Sequence, residues 1–313
     1  MTLGIAVSGP TAGLAAFRAL VAVEAVARGA IGGFVSFVAI GEDGKLSSAE
    51  TQCGGGMALF GGQDPPPRLA GARLAVLMSS GADRPDPLIQ FTPADPSLGL
   101  VTGHRFPNIP VAGGHIPNQV VLAALASLPP DQAVAKALAL DPCADVGLIA
   151  VNLDGEIALG NSPGVAARDD IGEAMVEDGA IGMRVGVLHN SVFPHAALAD
   201  LAVSVALDVA RPMDKADGAT TLVSAPLKLG GERRLVLGAG GAVHEIHVTK
   251  PEWLEACWQG SAVCRGDPVF NADGILVGVV SREVYCVARN GRIVAGRGGD
   301  CVSWRCIEDD RTL

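Results

Sequence analysis

The chain has 313 residues, of which 49% are hydrophobic and only 18% charged, and it carries a net charge of −10. That composition excludes a disordered chain and leaves no basic surface for nucleic acid or anionic membrane. Mean hydropathy is +0.36, yet no run of about eighteen apolar residues is free of glycines, charges or turn signals, so no membrane span is expected.

The first thirty residues are apolar but lack a basic lead region, and Arg18, Glu24 and Arg28 fall within their helical stretch. A secretory signal is therefore not expected, and the chain reads as cytoplasmic. Seven cysteines fit that compartment as free thiols: Cys53 and Cys143 stand apart, while Cys257, Cys264, Cys286, Cys301 and Cys306 gather near the C-terminus. None forms a CxxC pair, so they read first as small buried hydrophobes, with a disulfide or metal site as the alternative.

In chain order, residues 3–7 read as a strand, and Thr11 to Ala27 as a helix with Leu14, Phe17, Leu20, Val21 and Val26 near one face. Phe34 to Ile40 turns at Glu42-Asp43-Gly44 into a more polar strand from Lys45 to Thr51. The segment 61–117 is rich in proline and reads as a long loop insertion holding one strand, Arg73 to Met78; loops of that length are uncommon unless functional. Asn118 to Ala126 and Asp131 to Leu140 read as a helical pair, followed by a hairpin, Val146 to Val151 and Glu156 to Leu159, turning at Asp154-Gly155. Ala167 to Glu177 reads as a helix opened by Asp169-Asp170, and Pro194 to Val209 as another. Three further hairpins are expected: Leu227 to Val236 about Gly230-Gly231, Pro268 to Ser281 about Asp273-Gly274, and Tyr285 to Ala295 about Asn290-Gly291. Residues 24–32 and 173–182 share a Gly-Ala-Ile-Gly echo, which reads as two similar helix ends. A boundary at 211–219 separates a mixed part, 1–211, from a β-rich, cysteine-containing part, 212–313, packed into the same domain.

Four groups of residues are candidates for chemistry. Thr is small enough for the initiator Met to be removed, which would leave the Thr2 amine beside its own hydroxyl, base and nucleophile in one residue. Thr51-Gln52-Cys53-Gly54-Gly55-Gly56 offers a thiol next to flexible backbone N–H groups that suit an oxyanion. Among the histidines, His104, His115 and His189 are candidate general bases in or beside loops, whereas His195 opens a helix. His244-Glu245-Ile246-His247 lies on a strand, where residues three apart face opposite ways, so it is not the helical HExxH zinc motif. Gly266-Asp267-Pro268-Val269 lacks the Ser-Gly-Gly that would make it a serine-protease strand pair, and neither glycine run ends as a phosphate loop.

Residues 2–51, with Thr, an apolar strand, a helix and a glycine-led strand (Gly29-Ala30-Ile31-Gly32), resemble the opening of N-terminal-nucleophile hydrolases. The likeness continues in Asp131 to Ser162, where a helix ends in Ala-Leu-Asp-Pro before the hairpin Val-Gly-Leu-Ile-Ala-Val-Asn-Leu-Asp-Gly-Glu-Ile-Ala. The whole sequence is also similar to a bacterial domain-of-unknown-function family. The resemblance implies an α+β fold of stacked antiparallel sheets flanked by helices, an αββα sandwich. It further implies a cofactor-free amidohydrolase acting on a small amide or peptide bond, with Thr2 as nucleophile and Cys53 as its rival. The alternatives are a non-catalytic ligand-binding or homo-oligomeric scaffold, and a thiol- or metal-dependent protein using the C-terminal cysteines.

Overall fold

The computed structural model describes residues 2–210, 218–297 and 300–306; Met1 and most of the expected boundary segment, 211–217, lie outside them. Met1–Arg211 form one compact unit and Pro212–Leu313 a second.

The described residues of the first unit hold ten strands: β1 (Thr2–Ser8), β2 (Val35–Ile40), β3 (Leu46–Thr51), β4 (Leu74–Ser80), β5 (Ala94–Asp95), β6 (Gly99–Arg105), β7 (Val146–Asn152), β8 (Ile157–Asn161), β9 (Ile171–Asp178) and β10 (Met183–Asn190). Its α-helices are α1 (Ala12–Val26), α2 (Gly55–Leu59), α3 (Pro67–Ala70), α4 (Pro117–Ala124), α5 (Pro130–Leu138), α6 (Pro163–Ala166) and α7 (His195–Ala210). The strands make two antiparallel sheets, ordered β3-β2-β4-β1-β10-β9 and β5-β6-β7-β8. Strand alternation assigns the layers. Leu3, Ile5 and Val7 of β1 share a core with α1 and α7 on the outer face of the larger sheet. Ala6 packs with Leu100, Ile149 and Val151 between the sheets. Val101, Leu148 and Ala150 face α4 and α5 on the far side. The unit is thus a four-layer αββα sandwich.

Because β1 is buried on both faces, it can be apolar at every inner position rather than at alternate ones. Alanines 12, 15, 16 and 19 of α1 and 199, 202 and 206 of α7, all in the same core, let the two helices approach closely. The sheets approach closely at Gly4, where a Cβ would lie 2.4 Å from the carbonyl oxygen of Gly103. Main chain therefore meets main chain between β1 and β6.

Several expectations change. Ala167 to Glu177 is not a helix: β9 pairs along its length with β10 as an edge strand. Pairing with an apolar neighbour overrides the local helical preference, and Asp170 serves as a partner for Arg168 and Ser191 rather than as helix-terminus charge. The Gly-Ala-Ile-Gly echo has no structural counterpart, since Glu24 lies in α1 and Glu173 in β9. The proline-rich segment supplies β4, which sits between β2 and β1, and β6 as well as loops.

In the second unit, β11 (Gly218–Thr221), β12 (Leu227–Leu229), β13 (Arg234–Leu237), β14 (Val243–Val248), β16 (Pro268–Phe270), β17 (Leu276–Val280) and β20 (Cys301–Cys306) form one sheet, and β15 (Trp258–Ser261), β18 (Tyr285–Arg289) and β19 (Arg292–Arg297) a second. Leu227 to Val236 is not a hairpin, because β14 inserts between β12 and β13 and runs parallel to β12. No helix among the described residues is long and apolar enough to cross a membrane.

Candidate functional site

Thr2 begins β1 with Asn190 of β10 on one side and Ser80 of β4 on the other. Alternation turns these three side chains toward the second sheet, opposite to Leu3 and the helices. The Thr2 hydroxyl donates to Asn190 Oδ1 at 2.7 Å and accepts the backbone N–H of Arg105 at 2.6 Å. Arg105 ends β6 two residues after Gly103, so the close crossing at Gly4 and Gly103 is what brings this N–H within reach.

Thr2 and Asn190 lie in the floor of a cleft of about 240 Å³. Phe34, Met78, Pro85 and Phe91 form one wall, and Phe106, Asn108 and Ile109 the other. Phe34 and Phe91 pack with ring centroids 4.8 Å apart, in a small core shared with Met78 and Leu88. Arg84 and Arg105 edge the opening. Arg105 is neutralised by a two-pronged ion pair with Asp145. Arg84 instead donates to Ser80 Oγ at 2.7 Å, and Gln52 grips its main chain, accepting from Arg84 N at 3.0 Å and donating to its carbonyl at 2.7 Å.

Backbone strain gathers here. Asp83, Arg105 and Ser191 take φ of 60°, 66° and 54°, left-handed conformations that cost each a non-glycine penalty and that concentrate at functional sites. Asn190 Nδ2 donates to Ser191 Oγ at 3.1 Å, and Ser191 in turn donates to Asp170. Arg168, at 2.6 and 2.7 Å, and then Ser191 hold the Asp170 carboxyl well below the usual carboxylate range. Thr2 therefore heads a chain of hydrogen bonds that ends in a fixed charge.

The five candidate residues separate. Thr2 is in the cleft. His104 points between the sheets behind Asn190, fully buried, with Nε2 2.6 Å from Asn161 Oδ1 and Nδ1 without a partner. Burial pulls its pKa down to about 4 against the opposing pull of Asn161 and Asn190, so the ring is neutral. His189 is paired with Leu3 and so faces the helices, away from Thr2. Burial lowers its pKa, against the pull of the His195 backbone. His115 is exposed beyond the second wall. Cys53 is exposed as well, and the glycines beside it are engaged: Gly55 N donates to Gly33 O at 2.9 Å and Gly56 N to Glu24 Oε2 at 2.8 Å. Burial pushes the Glu24 carboxyl up against its bonds to Ser79 and Gly56. Of that segment, it is Gln52, through its grip on Arg84, that reaches the cleft.

Gly147 makes room for the His104 ring, since a Cβ there would lie 2.1 Å from it and 2.4 Å from Asn161 Oδ1. Gly147→Ala is expected to cost about 1–3 kcal/mol of stability by overpacking, read as a lower urea midpoint in far-ultraviolet circular dichroism; an unchanged midpoint would contradict this packing.

In the second unit, the His-Glu-Ile-His run centres on an ion pair of Glu245. Lys228 and then His247, whose Nε2 is 2.7 Å from Glu245 Oε1, keep Glu245 below the usual carboxylate range. Among the described residues no group of three or more His, Cys, Asp or Glu side chains is arranged to hold a metal ion. Burial pushes the Cys264 and Cys286 thiols up, away from the thiolate form.

Fold and cleft define the first unit as an αββα protein with a threonine at the head of a central strand, under an apolar, arginine-edged cleft. The chain belongs to the family described as Domain of unknown function (DUF6963), whose model matches residues 2–219. Residues 224–301 match a second one, Domain of unknown function (DUF7259). No curated protein matches the chain.

Proposed function

We propose that this protein is a cofactor-free amidohydrolase of the N-terminal-nucleophile type, acting on a small amide or peptide bond. The observation that carries the reading is the position of Thr2 Oγ1: in a cleft floor, on the first strand, holding an N–H donor at 2.6 Å.

With Met1 removed, the Thr2 amine takes the Oγ1 proton as Oγ1 bonds to the amide carbon. The Arg105 N–H lowers the cost of negative charge on that oxygen. The C–N bond breaks, the leaving amine takes the proton from the Thr2 ammonium, and an ester to Thr2 remains. Water adds to the ester carbon, the acid is released and Oγ1 regains its proton. No imidazole or carboxylate among the described residues bonds to Oγ1, so the α-amine is the base this mechanism requires.

That same feature favours a second reading, a ligand-binding protein that keeps the sandwich without the chemistry, because both bonds of Thr2 Oγ1 are filled. Intact mass spectrometry with a panel of small amides separates the two. The hydrolase reading expects a mass lacking one methionine and release of free amine. A retained Met1, or a processed chain inert across the panel, would overturn it in favour of ligand binding.

A further inference from the structure

The two arginines at the cleft differ in a way that specifies the ligand. Arg105 is neutralised by Asp145, whereas Arg84 makes no ion pair with any described carboxylate. The Arg84 guanidinium is bound only through Nη2, to Ser80 Oγ. A cation in a concave site with no carboxylate beside it is suited to an anion from outside the chain. Its place is also held deliberately: Gln52 makes two hydrogen bonds to the Arg84 main chain and a third, 3.0 Å, to Asp86, while Gln90 Nε2 donates to Pro85 O at 2.8 Å. In a chain of net charge −10, such an unneutralised cation in a concave site is not part of a generally basic surface. A guanidinium fork presents two parallel N–H groups, which match the two oxygens of a carboxylate.

We propose that the cleft takes small amides that carry a carboxylate, bound by Arg84, with the apolar part of the molecule against Phe34, Met78 and Phe91. This deepens the hydrolase reading and rests on it for turnover, but not for binding. Ser80, to which Arg84 is bonded, is the cross-strand partner of Thr2, so Arg84 is anchored on the strand next to the nucleophile's. A volume of about 240 Å³ is below the range of roughly 300–1,000 Å³ usual for drug-sized ligands, which points to a small molecule.

The test uses calorimetry on the full-length Thr2→Ala protein, so that no turnover intervenes. N-butanoylglycine carries its carboxylate on the amine side and N-propylsuccinamic acid on the acyl side; N-butanoylglycinamide is the neutral control, and inorganic phosphate tests for anion binding without an apolar part. At least one carboxylate is expected to bind about 10- to 100-fold more tightly than the carboxamide. Arg84→Gln is expected to weaken carboxylate binding far more than carboxamide binding and so remove that difference, and Arg84→Lys to keep part of it. Thermal unfolding of both variants checks the fold. Equal affinities for carboxylate and carboxamide, no binding of any probe, or phosphate matching the carboxylates would overturn the proposal, as would an Arg84→Gln effect equal on both classes.

The two readings fail separately. Carboxylate-selective binding by a wild-type protein that hydrolyses nothing sinks the hydrolase and keeps the anion site. Hydrolysis of carboxamides as fast as carboxylates does the reverse.

Discussion

Thr2→Ala should lower amide hydrolysis by at least about 10³-fold, while Thr2→Ser should stay within about tenfold of the wild type, because it preserves a hydroxyl beside an α-amine. Alanine, serine and threonine are all small enough for Met1 to be removed, so the three proteins differ only in the side chain, and intact mass confirms it. Alanine also deletes the bonds to Asn190 and Arg105, each worth about 0.5–1.5 kcal/mol net. The fold is therefore checked by circular dichroism, and the serine variant, which can make both bonds, serves as the control. Measured as kcat/KM on the best amide of the panel, equal rates for alanine and wild type would remove Thr2 from the mechanism.

His104 carries the second large effect, on acid stability. Its folded-state value of about 4 lies below the ordinary 6.5, so the unfolded chain binds the proton first as pH falls. The stabilisation is complete above about pH 6.5 and is lost as pH falls toward 4. The loss is about 2 kcal/mol by pH 5 and about 3 kcal/mol by pH 4. His189 slopes the same way, since burial lowers its pKa too. Glu24 slopes oppositely, because its raised folded value favours the fold in acid. His104→Gln should therefore flatten the dependence between pH 7 and 5 by about 2 kcal/mol without abolishing it. The three tryptophans, Trp253, Trp258 and Trp304, all lie in the second unit. Hydrogen exchange of the β6 amides, rather than fluorescence, is thus the measurement to use, and identical slopes for variant and wild type would refute the assignment.

Four of the five expected hairpins were legible because their turns need positive φ and the sequence supplies the residues for it, whereas Leu227 to Val236, without an Asp-Gly or Asn-Gly turn, is not one. Gly44, Gly155, Gly274 and Gly291 take φ of 72°, 77°, 76° and 69°, as their Asp-Gly and Asn-Gly settings imply. Edge strand β9 was not legible, since its polar, Glu-rich composition is decided by a neighbour 12 or more residues away in many of its pairs rather than by local preference.

At the site, His189-Asn190-Ser191 and Gly103-His104-Arg105-Phe106 each place a residue beside the histidine, Asn190 and Arg105, in contact with Thr2. A strand's period of two gives the face beside Thr2 to Asn190 and hides His189 among the helices, but that choice needs the register with β1, which no local pattern contains. Arg84 lies in a proline-rich stretch, beside Pro85 and Pro87, with no local motif about it. Its meaning comes from what it lacks, a carboxylate partner, and only three-dimensional neighbours reveal that.

The close crossing of Gly4 and Gly103 has a consequence for how this cleft can be altered. Beneath it β1, β6 and β7 lie main chain on main chain, with no Cβ room at Gly4, where the Gly103 carbonyl oxygen stands 2.4 Å away, or at Gly103, where that of Gly147 stands 2.1 Å away, so almost no substitution there is tolerated. Much of the walls, residues 84–91 and 106–109, lies outside the strands, and the two are tied to each other by side-chain bonds such as Asn108 Nδ2 to Gln90 Oε1. New ligand preferences can therefore be built by exchanging wall residues while the threonine, its N–H donor and their spacing stay as a fixed chassis.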